Sequence, residues 1–223
     1  GIQLSGNYSH YKHCYQFGIW GGTRLGQGGY DGYSFAPNRP FPVSFSFTYE
    51  NGLAHIVKGA SWNFNARYLD GLGAAQIGWS QKIGKNNFIC IYGKAVYRPD
   101  SASLRYLLYE DQWKPAALNH TLNIVYTHTW QYIRGAGKVT VGLRTSSLGS
   151  SYNYSWLSLE AVQHTRIAET YLRTRFYGRY GNGGNPAPES VLFLSGAGPE
   201  EMMDNPYTRS KGFFPNSWMG YGA

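Results

Sequence analysis

Long hydrophobic runs are missing from this chain. Nowhere do about 18 apolar residues follow one another, so no segment can cross a bilayer as a helix. A strand route stays open, because a membrane strand needs only about 9–11 residues with one apolar face. Charge is also scarce, at 14% of residues, and acids are the scarcer sign, 12 Asp and Glu against 20 Lys and Arg. Disordered chains combine high charge with few aromatics, whereas here aromatics reach 17%. Cysteine is limited to Cys14 and Cys90, with no Cys-x-x-Cys spacing for zinc; they could form one disulfide in an oxidising compartment or stay as two strand thiols, and we expect the thiols. No His-Glu-x-x-His helix motif and no Gly-x-Ser-x-Gly elbow occurs. The glycine runs near Gly21-Gly22 and Gly26 to Gly29 lack the Lys of a phosphate loop. His10 and His13 lie near Cys14 without a recognised ligand spacing. No catalytic residue, metal or cofactor is therefore expected.

What is present suits strands. The 20 Tyr, 7 Trp and 11 Phe favour sheets, and the 29 Gly suit turns and close backbone contacts. From Leu118 to Gln131 the even positions (Leu118, His120, Leu122, Ile124, Tyr126, His128, Trp130) are largely apolar, while the odd ones (Asn119, Thr121, Asn123, Val125, Thr127, Thr129, Gln131) are almost wholly polar. Alternate side chains leave a strand on opposite faces, so this stretch is two-faced. Val43, Phe45, Phe47 and Tyr49 alternate with Ser44, Ser46 and Thr48. Trp62, Phe64, Ala66 and Tyr68 alternate with Asn63, Asn65 and Arg67, and Ala168, Leu172, Phe176 and Tyr180 oppose Glu169, Arg173, Arg175 and Arg179. Phe88 to Arg98 carries apolar residues on both faces, and a phase change near Trp156–Leu157 suggests a bulge.

Several of these stretches are about twice the usual strand length. Their connections sort by length. Assigned alternately to the two ends of a sheet, the short ones (Glu50 to Gly52, Gly84 to Asn87, Ile133 to Gly137, His164 to Arg166) share one end. The long loops 21–42, 99–117 and 181–220 share the other, with shorter links at Asp70-Gly71 and Gly149 to Ser151. Bacterial outer-membrane barrels sort their loops this way. The expected fold is thus all-β: an antiparallel transmembrane β-barrel, with about 9–10 strands in a single domain spanning residues 1–223. The chain opens on what already reads as a strand, Gly1-Ile2-Gln3-Leu4, so a fragment of a larger barrel is also expected.

In hydrocarbon the outward face must be apolar, with Tyr and Trp near the interfaces. Tyr49, Tyr68, Trp79, Tyr126, Trp130 and Tyr180 are the expected aromatic girdle; a soluble sandwich would use the same residues as core. Arg67, Lys82, Arg144, Arg173, Arg175 and Arg179 all fall on the polar parity and are the expected basic lining of the interior. Such a lining attracts anions or pairs with acids on an inserted segment, and buried charges are usually partnered.

The stretch Asn182 to Trp218 holds Pro186, Pro188, Pro199, Pro206 and Pro215, apolar Val191 to Leu194, Glu200-Glu201, and Arg209 followed by Gly212-Phe213. We expect it to fold over or into the barrel mouth, with Glu200 or Glu201 and Arg209 as its polar contacts. A late long loop carrying Arg then Gly-Phe resembles the lumen-inserted loop of the Omp85 (surface antigen) barrels, although Ser210 and Lys211 interrupt the motif here. The segment is also similar to barrels that follow metallopeptidase-like domains in some Bacteroidetes proteins. The Omp85 resemblance implies assembly or translocation of outer-membrane proteins, with Arg209, Gly212 and Phe213 as a loop lock. The expected function is a transport, translocation or membrane-anchoring scaffold in the bacterial outer membrane. Its expected partners are lipid and an anionic solute or a soluble or plug domain, not nucleic acid. Two alternatives stand beside it, a soluble all-β carbohydrate-binding module and an outer-membrane barrel enzyme.

Overall fold

The computed structural model describes residues 1–8, 12–21, 43–53, 57–69, 72–98, 114, 116–191 and 200. They form ten strands: β1 (Ile2–Tyr8), β2 (His13–Gly21), β3 (Val43–Gly52), β4 (Ala60–Leu69), β5 (Leu72–Ile83), β6 (Asn87–Tyr97), β7 (Leu118–Tyr132), β8 (Gly135–Ser146), β9 (Asn153–Ile167) and β10 (Thr170–Asn185), then a 3-10 turn at Pro188–Ser190. Each strand pairs antiparallel with its neighbours in sequence, giving one meander. No helix among the described residues is long and apolar enough to cross a membrane.

The all-β antiparallel architecture matches the alternation read from the sequence, but closure does not. β1 and β10 are the two edges of an open sheet, with no pairing between them among the described residues. Ile2 to Trp20 forms two antiparallel strands, β1 and β2. Glu50 to Gly52 and His164 to Arg166 lie inside β3 and β9, the latter hairpin turning at Ala168-Glu169, where Ala168 adopts φ 53°. The alternation near those ends gives no break, so the strands run on past the expected turns. Ala168 and Glu169 accordingly belong to the turn and not to opposite faces of β10. β10 itself continues to Asn185, shortening the expected loop 181–220 at its start.

The bulge expected near Trp156–Leu157 is absent: β8 and β9 stay in register from Gly135–Thr165 to Thr145–Ser155. What looked like a phase change is two large aromatics, Tyr154 and Trp156, placed on the polar face. The irregularity falls instead between Asn182 and Asn185. There Gly183 has φ 146°, and a Cβ on it would meet Asn153 O and Tyr154 Cα well inside contact distance. Only glycine lets β10 cross so close to β9 and send the chain back over the sheet.

Burial is inverted relative to a water-soluble sheet. Asn119 and Asn123 are each 2% exposed, and Thr121, Ser80 and Lys94 on the same face are also buried. On the opposite face Ile124 is 37% exposed and Phe176 61%, and Ile77, Leu122, Tyr126, Leu143, Leu157 and Leu172 are exposed as well. The cross-strand rows confirm the sorting: Lys94 opposes Thr121, and Ile91 opposes Ile124, which opposes Leu143. Among the described residues, small apolar contacts on the polar side are made by Leu72, Val96 and Ala74 and by Tyr152, Tyr154 and Ala187. Trp62, Ile124 and Phe176 do not meet in a shared dry core.

Candidate functional site

The polar face of β6 to β9 holds the most completely buried side chains, and the chain beyond β10 covers them. Ala187 is fully buried against Tyr152 and Tyr154, and the turn that follows delivers Glu189 and Ser190 onto the same face. Glu200 lies there too. Its Oε2 receives Arg144 Nη1 at 2.7 Å and the hydroxyl of Ser190, while Lys94 Nζ stands 2.7 Å from Oε1.

Around these charges the hydrogen-bonding capacity is almost filled. Arg144 Nε donates to Asn123 Oδ1, and Asn123 Nδ2 donates to Thr121 Oγ1 at 3.0 Å. Asn119 Nδ2 donates to Ser190 Oγ at 3.0 Å, and Asn119 Oδ1 accepts from Tyr154 Oη at 2.9 Å. Trp156 forms one wall. Its ring stacks on Tyr154 at 4.8 Å between centroids, and the guanidiniums of Arg144 and Arg179 lie 5.0 and 4.3 Å from its centre. Arg179 Nη1 also donates to Ser190 O at 3.2 Å, tying the end of the 3-10 turn to β10. Satisfied networks of this kind fix a single arrangement, whereas a partly satisfied one is costly.

The two acids differ in environment. Burial alone would raise the Glu200 carboxyl, but Lys94 and Arg144 overcome that penalty and hold it well below the usual carboxylate range. Glu189 is raised, because desolvation outweighs its own backbone hydrogen bond and the attraction of Arg98. Among the described residues its Oε2 has no hydrogen-bond partner, nor has the neighbouring Tyr152 hydroxyl, which is pushed up to about 12 chiefly by burial. A carboxyl whose pKa is higher in the folded state stabilises most below its unfolded pKa and loses that contribution as pH rises through the folded value. Glu189→Gln is therefore expected to raise the unfolding temperature at pH 7, with the gain vanishing below about pH 4. Thermal unfolding across pH checks this; a loss of stability at pH 7 would show that the negative charge is needed.

All six basic residues expected to line the interior lie on the polar face, but they do not form one cluster. Arg144 pairs with Glu200 directly, and Arg179 joins the same network through Ser190 O and the Trp156 ring. Arg67 is half-buried, Lys82 and Arg173 are exposed, and Arg175 pairs with Glu160 at 2.8 Å. The girdle residues Tyr49, Tyr68, Trp79, Tyr126, Trp130 and Tyr180 all fall on the apolar face. Tyr126 and His128 share Asn87 Oδ1 at 2.8 Å each, and Trp130 Nε1 donates to Gln163 at 3.1 Å. Arg209, Gly212 and Phe213 lie outside the described residues. The anchoring contact within them is made by Glu200. Lys94, Tyr154, Trp156 and Ser190 carry no sequence signal that marks them as site residues, whereas the parity of Asn119 and Asn123 places those two on the polar face. No group of three or more His, Cys, Asp or Glu capable of holding a metal occurs among the described residues, and Cys14 and Cys90 form no disulfide with each other.

Comparison with family models, curated proteins and solved structures returned no match.

Proposed function

We propose that the sheet is the wall of an outer-membrane β-barrel, acting as a membrane-anchoring or translocation scaffold with a net-basic interior. The observation that carries this reading is the inverted burial. A sheet in water hides its apolar face, whereas this one hides Asn119, Thr121 and Asn123 and presents Ile77, Ile124, Leu143 and Phe176 outward. Contiguous exposed apolar surface of this kind marks a membrane or partner contact.

The placement of the apolar band supports the reading further. Starting from Leu143, one row of directly opposed residues runs through Ile124, Ile91, Trp79 and Trp62 to Asn51 and His13. The apolar middle of β8 is thus level with the polar ends of β2 and β3. A band that slips along the strands from one side of the sheet to the other is what tilted, staggered strands produce when the band lies flat in a bilayer. Loop lengths agree: hairpin connections at one end are short, while the gaps between β2 and β3 and between β6 and β7 both fall at the other end.

Hydrocarbon leaves no sheet edge unpaired, so in this reading β1 and β10 pair with each other or with further strands. A plugged or partly filled interior fits this reading, since Glu200, beyond β10, lies on the polar face and is held there by ion pairs. The test is extraction and reconstitution. The chain is expected to stay dispersed only in detergent or lipid, and bilayer-embedded fluorescence quenchers are expected to reach the outward Trp62, Trp79 and Trp130 but not Trp156. A monodisperse chain in detergent-free buffer would sink the membrane reading and favour the soluble carbohydrate-binding alternative.

A further inference from the structure

We infer that Lys94, Arg144 and Ser190 form a binding site for small carboxylate anions, and that Glu200 is its built-in occupant. The contacts are those of ligand recognition: one carboxylate oxygen faces an ammonium at 2.7 Å, the other a guanidinium at 2.7 Å and a hydroxyl. The two cations come from β6 and β8. Arg144 is aimed by Asn123 on β7 and backed by Trp156 on β9, so the sheet presets it without help from Glu200. Ser190 is likewise held by Asn119 and lies near Tyr154, independently of Glu200. The carboxylate alone is supplied from beyond the 3-10 turn. It therefore acts as an internal competitor, and an anionic solute reaching the polar face must displace it.

The inference rests on the membrane-barrel reading only for the statement that the site faces a barrel interior; the chemistry of the site is independent of it. The experiment is chemical rescue. Glu200→Ala removes the occupant and leaves the two cations and the hydroxyl. Acetate, which carries the deleted carboxylate, is compared with chloride at equal ionic strength and pH 7. Unfolding is followed in micelles, or in plain buffer should the chain prove soluble there, so a failure of the membrane reading does not blur the result. We expect 100 mM acetate to raise the unfolding temperature of Glu200→Ala by about 5 °C over chloride, as a ligand in excess of its dissociation constant does. The wild type and the double variant Arg144→Met/Glu200→Ala are expected to show no acetate-specific shift. Folded Glu200→Ala that does not distinguish acetate from chloride overturns the proposal. Should Glu200→Ala fold poorly, refolding yield replaces unfolding temperature: a gain specific to acetate supports the site, and equal yields in both salts overturn it.

Discussion

Glu200→Ala is expected to destabilise the chain by about 3–5 kcal/mol, because it leaves Lys94 and Arg144 facing each other across a buried gap. Taking charges out of water is costly, and the cost is recovered here by short contacts on both carboxylate oxygens. Removing the shared acid takes away the carboxylate that both cations face. Replacing all three by Met, Met and Gln is expected to cost much less, since no uncompensated charge remains. The pH profile separates this from a packing defect. The Glu200 carboxyl titrates well below its unfolded value, so its contribution is full above the unfolded pKa and is lost as pH falls through the folded one. The gap between wild type and Glu200→Ala is therefore expected to be flat above about pH 5 and to narrow in acid. Chemical denaturation in micelles at pH 7 and pH 3 measures both. An unchanged gap at the two pH values would assign the loss to the missing side chain's volume rather than its charge.

How much of this was legible beforehand depends on the range of each interaction. Alternation is local, so the faces of Leu118–Tyr132 and the polar placement of Arg67, Arg144 and Arg175 could be read residue by residue. The exact turns could not: nothing in the composition of His164 to Arg166 distinguishes a strand end from a strand interior, and the hairpin turns only at Ala168-Glu169. Tyr154 and Trp156 misled for a physical reason. Large aromatics on the polar parity look like a slipped register, yet here they pack against Ala187 and under two guanidiniums. That contact joins β9 to a segment over thirty residues later, and no periodicity encodes it. Glu200 or Glu201 could be named as a polar contact of the segment after β10, but not its partners Lys94 and Arg144, which come from strands far away in sequence. Closure of the sheet is a matter of long-range geometry between β1 and β10, and alternation is silent on it.

Ile124→Arg offers the sharpest division between lipid and water as the medium of the exposed apolar face. Ile124 lies in the middle of the band on β7, between Ile91 and Leu143 on its neighbours. Arginine at the midplane of a bilayer costs about 2–4 kcal/mol on the lipid face of a barrel, because the guanidinium must stay solvated or drag water inward. On a face already open to water the same change moves stability by no more than about 0.5 kcal/mol in most cases. Leu159→Arg, also outward on β9, is expected to repeat the large loss, as its row-mates Val141 and Tyr126 are in the same band. Ile133→Arg is the internal reference: Ile133 sits fully exposed in the turn between β7 and β8, where a cation meets headgroups or water in either case. Folding free energies of the three variants in lipid vesicles thus rank by depth if the band is in hydrocarbon. Losses below about 1 kcal/mol for both Ile124→Arg and Leu159→Arg would place these side chains in water and remove the physical basis for a barrel wall.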